Sequence, residues 1–313
     1  MKKILTVIVC ILFSNYSQAY DFDVNGIYYD VYSMENSEVI VVQGEKPYSG
    51  SIVIPQSVSF RGKELKVIGL GEKAFYGCSI TTISMPEDIK FIDYGCFQNC
   101  KSLKSINLPS NIEIIYSCAF KNSGITEIVI PDMVATVASS AFENCVALKS
   151  ITIGKSVHTL AGSCFYGCYN VETLILRDSK ESLDWDIYYV EKEERWISVF
   201  GSFVNLKNLY LGRVLDMAVT SLYDAPTAPF EGCNKIEHLE IGKCVTSFRN
   251  FNVDLKTVTV YRKMPYVTEN PYFGGFTNKT KLDGVLYVPK GCVDLYKEAE
   301  KWNEFWTIKE IEK

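Results

Sequence analysis

Apolar and polar positions alternate over short stretches of this chain, and the short stretches themselves return in a longer cycle. Four consecutive segments read SITTISMPEDIKFIDYGCF, SLKSINLPSNIEIIYSCAF, GITEIVIPDMVATVASSAF and ALKSITIGKSVHTLAGSCF. Their closing phenylalanines are Phe97, Phe120, Phe142 and Phe165, spaced by 22 or 23 residues, with Phe75 one cycle earlier. One register runs Leu103, Ile106, Leu108, Ile112, Ile115, Phe120, and the next runs Ile125, Ile128, Ile130, Val134, Val137, Phe142. Leu148, Ile151, Ile153, Val157, Leu160 and Phe165 repeat it, as do Ile80, Ile83, Met85, Ile89, Ile92 and Phe97. A period in the range of about 20–29 residues is that of leucine-rich repeats.

Within each cycle KSINLP, TEIVIP and KSITIG alternate, which predicts a short strand with one face buried. Pro55, Pro86, Pro109 and Pro131 stop these strands because proline has no N–H for the ladder. Gly154 takes the same place one cycle later. A second apolar pair, such as Ile112 and Ile115, forms the opposite side of a coil. One coil is too thin to bury its own apolar side chains, and stacking coils gives them a continuous core. The pattern weakens but continues through Val171/Leu174/Leu176, Leu206/Leu209/Leu211, Ile236/Leu239/Ile241 and Leu255/Val258/Val260.

The motif Leu-x-x-Ile-x-Leu-Pro, then Ile-x-x-Ile, then Ala-Phe-x-x-Cys resembles that of the BspA-like, or Treponema pallidum-type, leucine-rich repeat family over about Ser51 to Val260. The resemblance implies a mainly β fold, a right-handed leucine-rich repeat solenoid with a sheet on its concave side. It also implies a secreted or cell-surface bacterial protein, since some family members are linked to adhesion and protein binding. A family of this kind fixes the fold far better than the ligand.

The predicted organisation is a signal peptide over 1–19, an N-terminal β-hairpin capping region over 20–50, a solenoid over 51–265 with an insertion at about 178–203, and a C-terminal cap with a short helix over 266–313. Lys2 and Lys3, the apolar run Ile4 to Phe13, and small Ser17 and Ala19 form the leader pattern. That run is too short to span a bilayer, and Cys10 lies inside it, so lipid anchoring is not expected. In the cap, Leu286 to Val288 reads as a strand and Asp294 to Lys301 as a helix. Trp302, Phe305 and Trp306 read as apolar anchors for the open end.

Composition agrees with a globular chain: of 313 residues, 47% are hydrophobic and 22% charged. The formal net charge is -5, and loss of Lys2 and Lys3 with the leader would make it -7. No basic tract is present to engage phosphates, which argues against a nucleic-acid partner.

Cysteine is the main candidate for chemistry. Cys78, Cys100, Cys145, Cys168 and Cys233 each follow a phenylalanine by three residues, with Ser123 in that place after Phe120. Recurrence at one coil position points to a buried wall residue, where cysteine acts as a small hydrophobe. Cys96 and Cys118 lie at different offsets, and a disulfide between neighbouring coils stays open in an exported chain. No histidine lies near the cysteines in sequence to complete a metal set. His158 and His238 sit alone in their repeats, with His238 facing outward. No phosphate-binding glycine fingerprint occurs, and Asp184, Asp186 and Glu191 form no recognisable catalytic pair. Neither an enzyme nor a cofactor is expected.

Two surfaces could bind a partner. The first is the concave strand face: Thr82, Ser84, Lys104, Ser105, Asn107, Glu127, Val129, Lys149, Ser150 and Thr152. It suits an extracellular protein, since solenoids dock partners over wide curved faces. The second is the insertion, with Trp185, Tyr188, Tyr189 and Trp196, which would favour a glycan if its rings are exposed; a purely structural surface protein is the remaining alternative. Two further irregular loops carry Tyr223, Pro226 and Pro229, and Tyr266, Tyr272 and Phe273.

Overall fold

The computed structural model describes residues 20–217, 229–246, 253–265 and 275–312. The expected signal peptide lies outside the described residues, as do Tyr223, Pro226, Tyr266, Tyr272 and Phe273.

Two parallel sheets face each other across one core. The first holds eight strands in chain order: Glu127–Ile130, Ser150–Ile153, Thr173–Leu176, Asn208–Leu211, His238–Ile241, Thr257–Val260, Val285–Val288 and Thr307–Glu310. Equivalent residues pair directly, as Ile128 with Ile151, Leu174, Leu209, Leu239 and Val258 in turn. The second sheet opens with antiparallel Phe22–Val24, Ile27–Ser33 and Glu38–Val42, then turns parallel at Lys63–Leu70. It continues through two-residue strands at Phe91–Ile92, Ile114–Ile115, Thr136–Val137 and Thr159–Leu160. Each holds the later member of the second apolar pair (Ile92, Ile115, Val137, Leu160) and sends it into the core, while the earlier members Ile89, Ile112, Val134 and Val157 are buried just ahead of the strands.

The third side of each coil is built around phenylalanine. Phe75, Phe97, Phe120, Phe142 and Phe165 are fully buried and stack with centroids 5.1–5.4 Å apart and planes within 17°. That spacing sits close to the separation of neighbouring strands, about 4.8 Å, so the same ladder that aligns the backbones stacks the rings. Two left-handed positions bracket each of the first four rings, and one follows Phe165. Lys73, Gly95, Cys118 and Ser140 stand two residues before it, and Gly77, Asn99, Asn122, Asn144 and Gly167 two residues after, all with positive φ. Glycine and asparagine tolerate that backbone best, which is why they recur there. Gly154 answers a different need: a Cβ there would meet the Pro131 carbonyl oxygen at 2.3 Å.

The structure departs from the predicted pattern in several places. Residues 103–108 keep the alternating burial but form no strand, and only peripheral bonds such as Thr126 N–H to Lys104 C=O (2.9 Å) tie them to the next coil. Strand Ser79–Ser84 consequently pairs with Ser49–Val53 in a separate two-stranded sheet. Repeat strands do not stop near Val260, because Val285–Val288 and Thr307–Glu310 extend the same parallel ladder. In the C-terminal part the helices are Asn278–Asp283 and Val293–Glu298. Trp302 and Phe305 are buried, whereas Trp306 is 82% exposed, since it directly precedes the final edge strand and points away from the core.

The long insertion is also more regular than its spacing suggests. Leu183–Trp185 is a repeat strand that pairs with Thr159–Leu160 and with Leu215–Met217. The true excursion is the antiparallel hairpin of Ile187–Val190 and Arg195–Ser198. Phe200 then resumes the ring position, stacked on Phe230 at 5.1 Å, and Phe203 takes the place of the wall cysteine.

Candidate binding face

Side chains on the eight-stranded sheet alternate between the core and the open face. The pairing register sets the open-face residues in two rows. One row runs Glu127, Ser150, Thr173, Asn208, His238, Thr257; the other runs Val129, Thr152, Ile175, Tyr210, Glu240, Thr259. The second row grades from apolar, through a small threonine, to aromatic and acidic.

Two adjoining grooves lie on this face. One, of about 480 Å³, is lined by Ile106, Asn107, Val129, Met133 and neighbours, where residues 103–108 leave the ladder. The other, of about 600 Å³, lies over Thr173, Ile175, Asn208, Tyr210, His238 and Glu240. Asp132 and Arg177 line both and form an ion pair at 2.9 Å between them. Partial burial opposes the charge on Asp132, but the Lys155 N–H and the Arg177 guanidinium outweigh it and hold the carboxyl below its usual range. Val129 and Met133 are about half exposed beside them.

At the other end two tyrosines orient two carboxylates. Tyr210 donates to Asp178 Oδ1 (3.1 Å) and Tyr261 to Glu240 Oε2 (2.5 Å), with the two rings 6.1 Å apart. The hydrogen bond to Glu240, with burial and the carboxylate charge, pushes the Tyr261 hydroxyl up to about 12. Burial and the Asp178 charge push the Tyr210 hydroxyl up as well. His238 Nδ1 lies 2.8 Å from Thr257 Oγ1.

Beneath this face Arg213 is fully buried. Its Nη2 donates to Gly154 O and its Nη1 to Val157 O, both at 2.6 Å, and its Nε donates to Arg177 O at 3.2 Å. A buried cation is costly unless its donors are satisfied, and the rigid guanidinium fork reaches carbonyls of two successive coils where an ammonium could not. The contact to Arg177 O anchors the loop that presents Arg177 and Asp178.

The residues expected on this face divide into two groups. Glu127, Val129 and Thr152 belong to the grooved sheet, with Ser150 in the adjacent row and Lys149 just ahead of its strand. Thr82 and Ser84 are exposed on the separate two-stranded sheet, where Thr82 donates to Ser51 (2.9 Å), and Lys104, Ser105 and Asn107 are exposed on the segment outside the ladder. Ile175, Asp178, Tyr210 and Glu240 were absent from the expectation. The two-residue alternation around Leu174, Leu209 and Leu239 already carried the signal for three of them.

The insertion aromatics do not form one platform. Trp185 is 1% exposed because it fills the wall position of Ile115, Val137 and Leu160. Tyr188 is half-buried, edge-on to Tyr166 and within 3.4 Å of Ser202 Oγ. Only Tyr189, 49% exposed, and the half-buried Trp196 reach the hairpin surface, with planes 60° apart.

The cysteines form a hydrogen-bonded wall. Cys100, Cys145, Cys168 and Cys233 donate to the carbonyls of Phe75, Phe120, Phe142 and Phe200 at 2.9–3.2 Å, each one coil back. Burial pushes the thiols of Cys100 and Cys233 up to about 12, and those of Cys96 and Cys164 well above the usual value. Cys96 shares its buried position with Ala119 and Ala141, whereas Cys118 occupies a left-handed turn, which accounts for their different offsets. All ten described cysteines are free.

Three solved leucine-rich repeat proteins are similar to this chain. One from T. pallidum is 20% identical with a TM-score of 0.48, covering 66% of this chain and 91% of its own. One from Bacteroides ovatus is 15% identical with a TM-score of 0.37, covering 94% and 100%. One from Bacteroides capillosus is 25% identical with a TM-score of 0.38, covering 42% and 96%. No curated protein matches the chain. Residues 68–193 match the BspA type leucine rich repeat region in six copies, the same stretch that carries the phenylalanine stack and the cysteine wall. Over that stretch the chain carries repeats of the BspA type.

Proposed function

We propose that this is a non-enzymatic, secreted or surface-displayed repeat protein that binds extracellular proteins across the open face of its eight-stranded sheet. The observation carrying this reading is the aligned row Val129, Thr152, Ile175, Tyr210 and Glu240, which joins two grooves into one extended surface. Export rests on the leader pattern at 1–19. No helix among the described residues is long and apolar enough to cross a membrane. The division into an N-terminal cap, a solenoid and a C-terminal cap at residues 50 and 265 is part of the proposal.

Glycan binding through the insertion has weaker support. Sugar-binding platforms need exposed, flat ring faces, and here Trp185 is core while Tyr189 and Trp196 meet at a steep angle. The test is an array of extracellular proteins and glycans probed with the leaderless chain, a Thr152→Trp variant and a variant lacking the hairpin tip. Protein binding that Thr152→Trp abolishes and hairpin deletion spares supports the reading. Binding lost only on hairpin deletion would overturn it.

A further inference from the structure

We infer that the groove over Tyr210 and Glu240 is a subsite for a basic side chain, an arginine above all, on an extended segment of the bound protein; this rests on the open-face reading above. Chemistry at the two ends of the groove differs. At the near end, the cations Lys155 and Arg177 accompany Asp132, and Arg177 is paired with that carboxylate. At the far end, Asp178 and Glu240 have no ion-pair partner among the described residues. Each is fixed by one tyrosine hydroxyl, which uses one acceptor site and leaves the others of that carboxylate open.

The tyrosine rings add a second element of recognition. Tyr210 and Tyr261 stand 6.1 Å apart at 42° between the two carboxylates. A guanidinium lying on such a ring gains a cation–π contact while its donors reach carboxylate oxygens. An ammonium offers the same charge without the planar fork, so lysine is the weaker occupant. A carboxylate or phosphate would be repelled by Asp178 and Glu240.

The rest of the row sets the length and the other end of the occupant. From the Val129 strand to the Glu240 strand there are four inter-strand steps, or about 19 Å at about 4.8 Å each. An extended segment of about six residues covers that distance at about 3.3 Å per residue. Thr152 is the small residue in the row, and it leaves room for a backbone to cross. Val129 and Met133 offer apolar contact to a side chain at the opposite end, with Ile175 midway along the row. The inferred occupant is an extended segment crossing the strands, with an apolar residue over Val129 and an arginine at Tyr210 and Glu240.

Calorimetric titration or chemical-shift mapping with the synthetic peptide Ac-Leu-Thr-Ser-Thr-Ser-Arg-NH2 tests this, with a control peptide carrying neutral citrulline for arginine. Saturable binding is expected for the arginine peptide, at least fivefold weaker for the citrulline peptide. The same loss is expected for the arginine peptide on Glu240→Gln and Asp178→Asn, with thermal midpoints near the parent's. Equal binding of both peptides, abolished by Thr152→Trp, would overturn the arginine subsite and leave the open face as a docking surface. Binding of both that Thr152→Trp does not change would overturn subsite and docking surface together. Absence of binding at millimolar peptide would overturn the subsite, while the protein array decides the docking surface separately.

Discussion

Cys145 Sγ donates to the carbonyl of Phe120 at 3.0 Å, one coil back along the stack. The recurring cysteine therefore does two jobs. It is small and apolar enough for the wall, and its weak donor adds a second bond to a buried carbonyl that already accepts the Ser123 N–H at 3.0 Å. In Cys145→Ala the donor and a little volume are lost together, and a destabilisation of about 1–3 kcal/mol is expected. In Cys145→Ser the donor survives, and Ser123 shows that a hydroxyl fits at this wall position. Urea unfolding should rank the parent above serine and serine above alanine.

The phenylalanine stack supplies most of the third wall. Phe120 is fully buried between Phe97 and Phe142 at 5.1 Å on both sides. Phe120→Ala is expected to destabilise by about 3–5 kcal/mol, and hydrogen exchange should speed up first in the coils next to it, because a solenoid couples nearest neighbours. Uniform loss of protection over the whole chain would contradict that coupling.

Arg213 should be irreplaceable by lysine. Arg213→Lys keeps the charge but cannot serve Gly154, Val157 and Arg177 at once. Arg213→Lys and Arg213→Met should both lose about 1–3 kcal/mol, since the carbonyls of Val157 and Arg177 lose the donors that Arg213 supplies. Amide exchange at residues 177–183 should accelerate in both variants. Lysine matching the parent in both measurements would show that only charge matters there.

Alkaline pH should weaken the fold. Cys100 and Cys233 titrate at about 12 in the folded chain against 9.0 for an ordinary thiol, and Tyr29 and Tyr261 at about 12 against 10.0. Between the unfolded and folded values the unfolded state holds fewer protons, so stability falls as pH rises. That contribution is complete below about pH 9 and is lost progressively toward pH 12. A thermal midpoint flat from pH 9 to 11 would contradict the burial of these groups.

Much of the fold was legible because each coil repeats the same demand on the same positions. Phe97, Phe120, Phe142 and Phe165 stack as their spacing predicted, and the alternation around Ile128 and Ile151 became laddered strands. What escaped was set by context between coils. Ile106 follows the pattern but its segment leaves the ladder. Trp185 looked like a displayed aromatic because tryptophan rarely fills an isoleucine position, and only the pairing with Leu160 reveals it as wall. Trp306 had the composition of an anchor but not its direction. The candidate face was partly legible. Val129 and Thr152 came from alternation, whereas Asp178 joined them through a loop that Arg213 pins from another coil.

Docking of partners on the open face of the eight-stranded sheet is what we propose for this protein. Hydroxyl-radical footprinting of the leaderless chain, alone and with an extracellular protein found on the array, tests it most directly. Protection at Met133, Tyr210 and Tyr261, with Tyr189 and Trp196 unchanged, is the predicted result. Protection at Tyr189 and Trp196, with Met133 and Tyr210 unchanged, would contradict it.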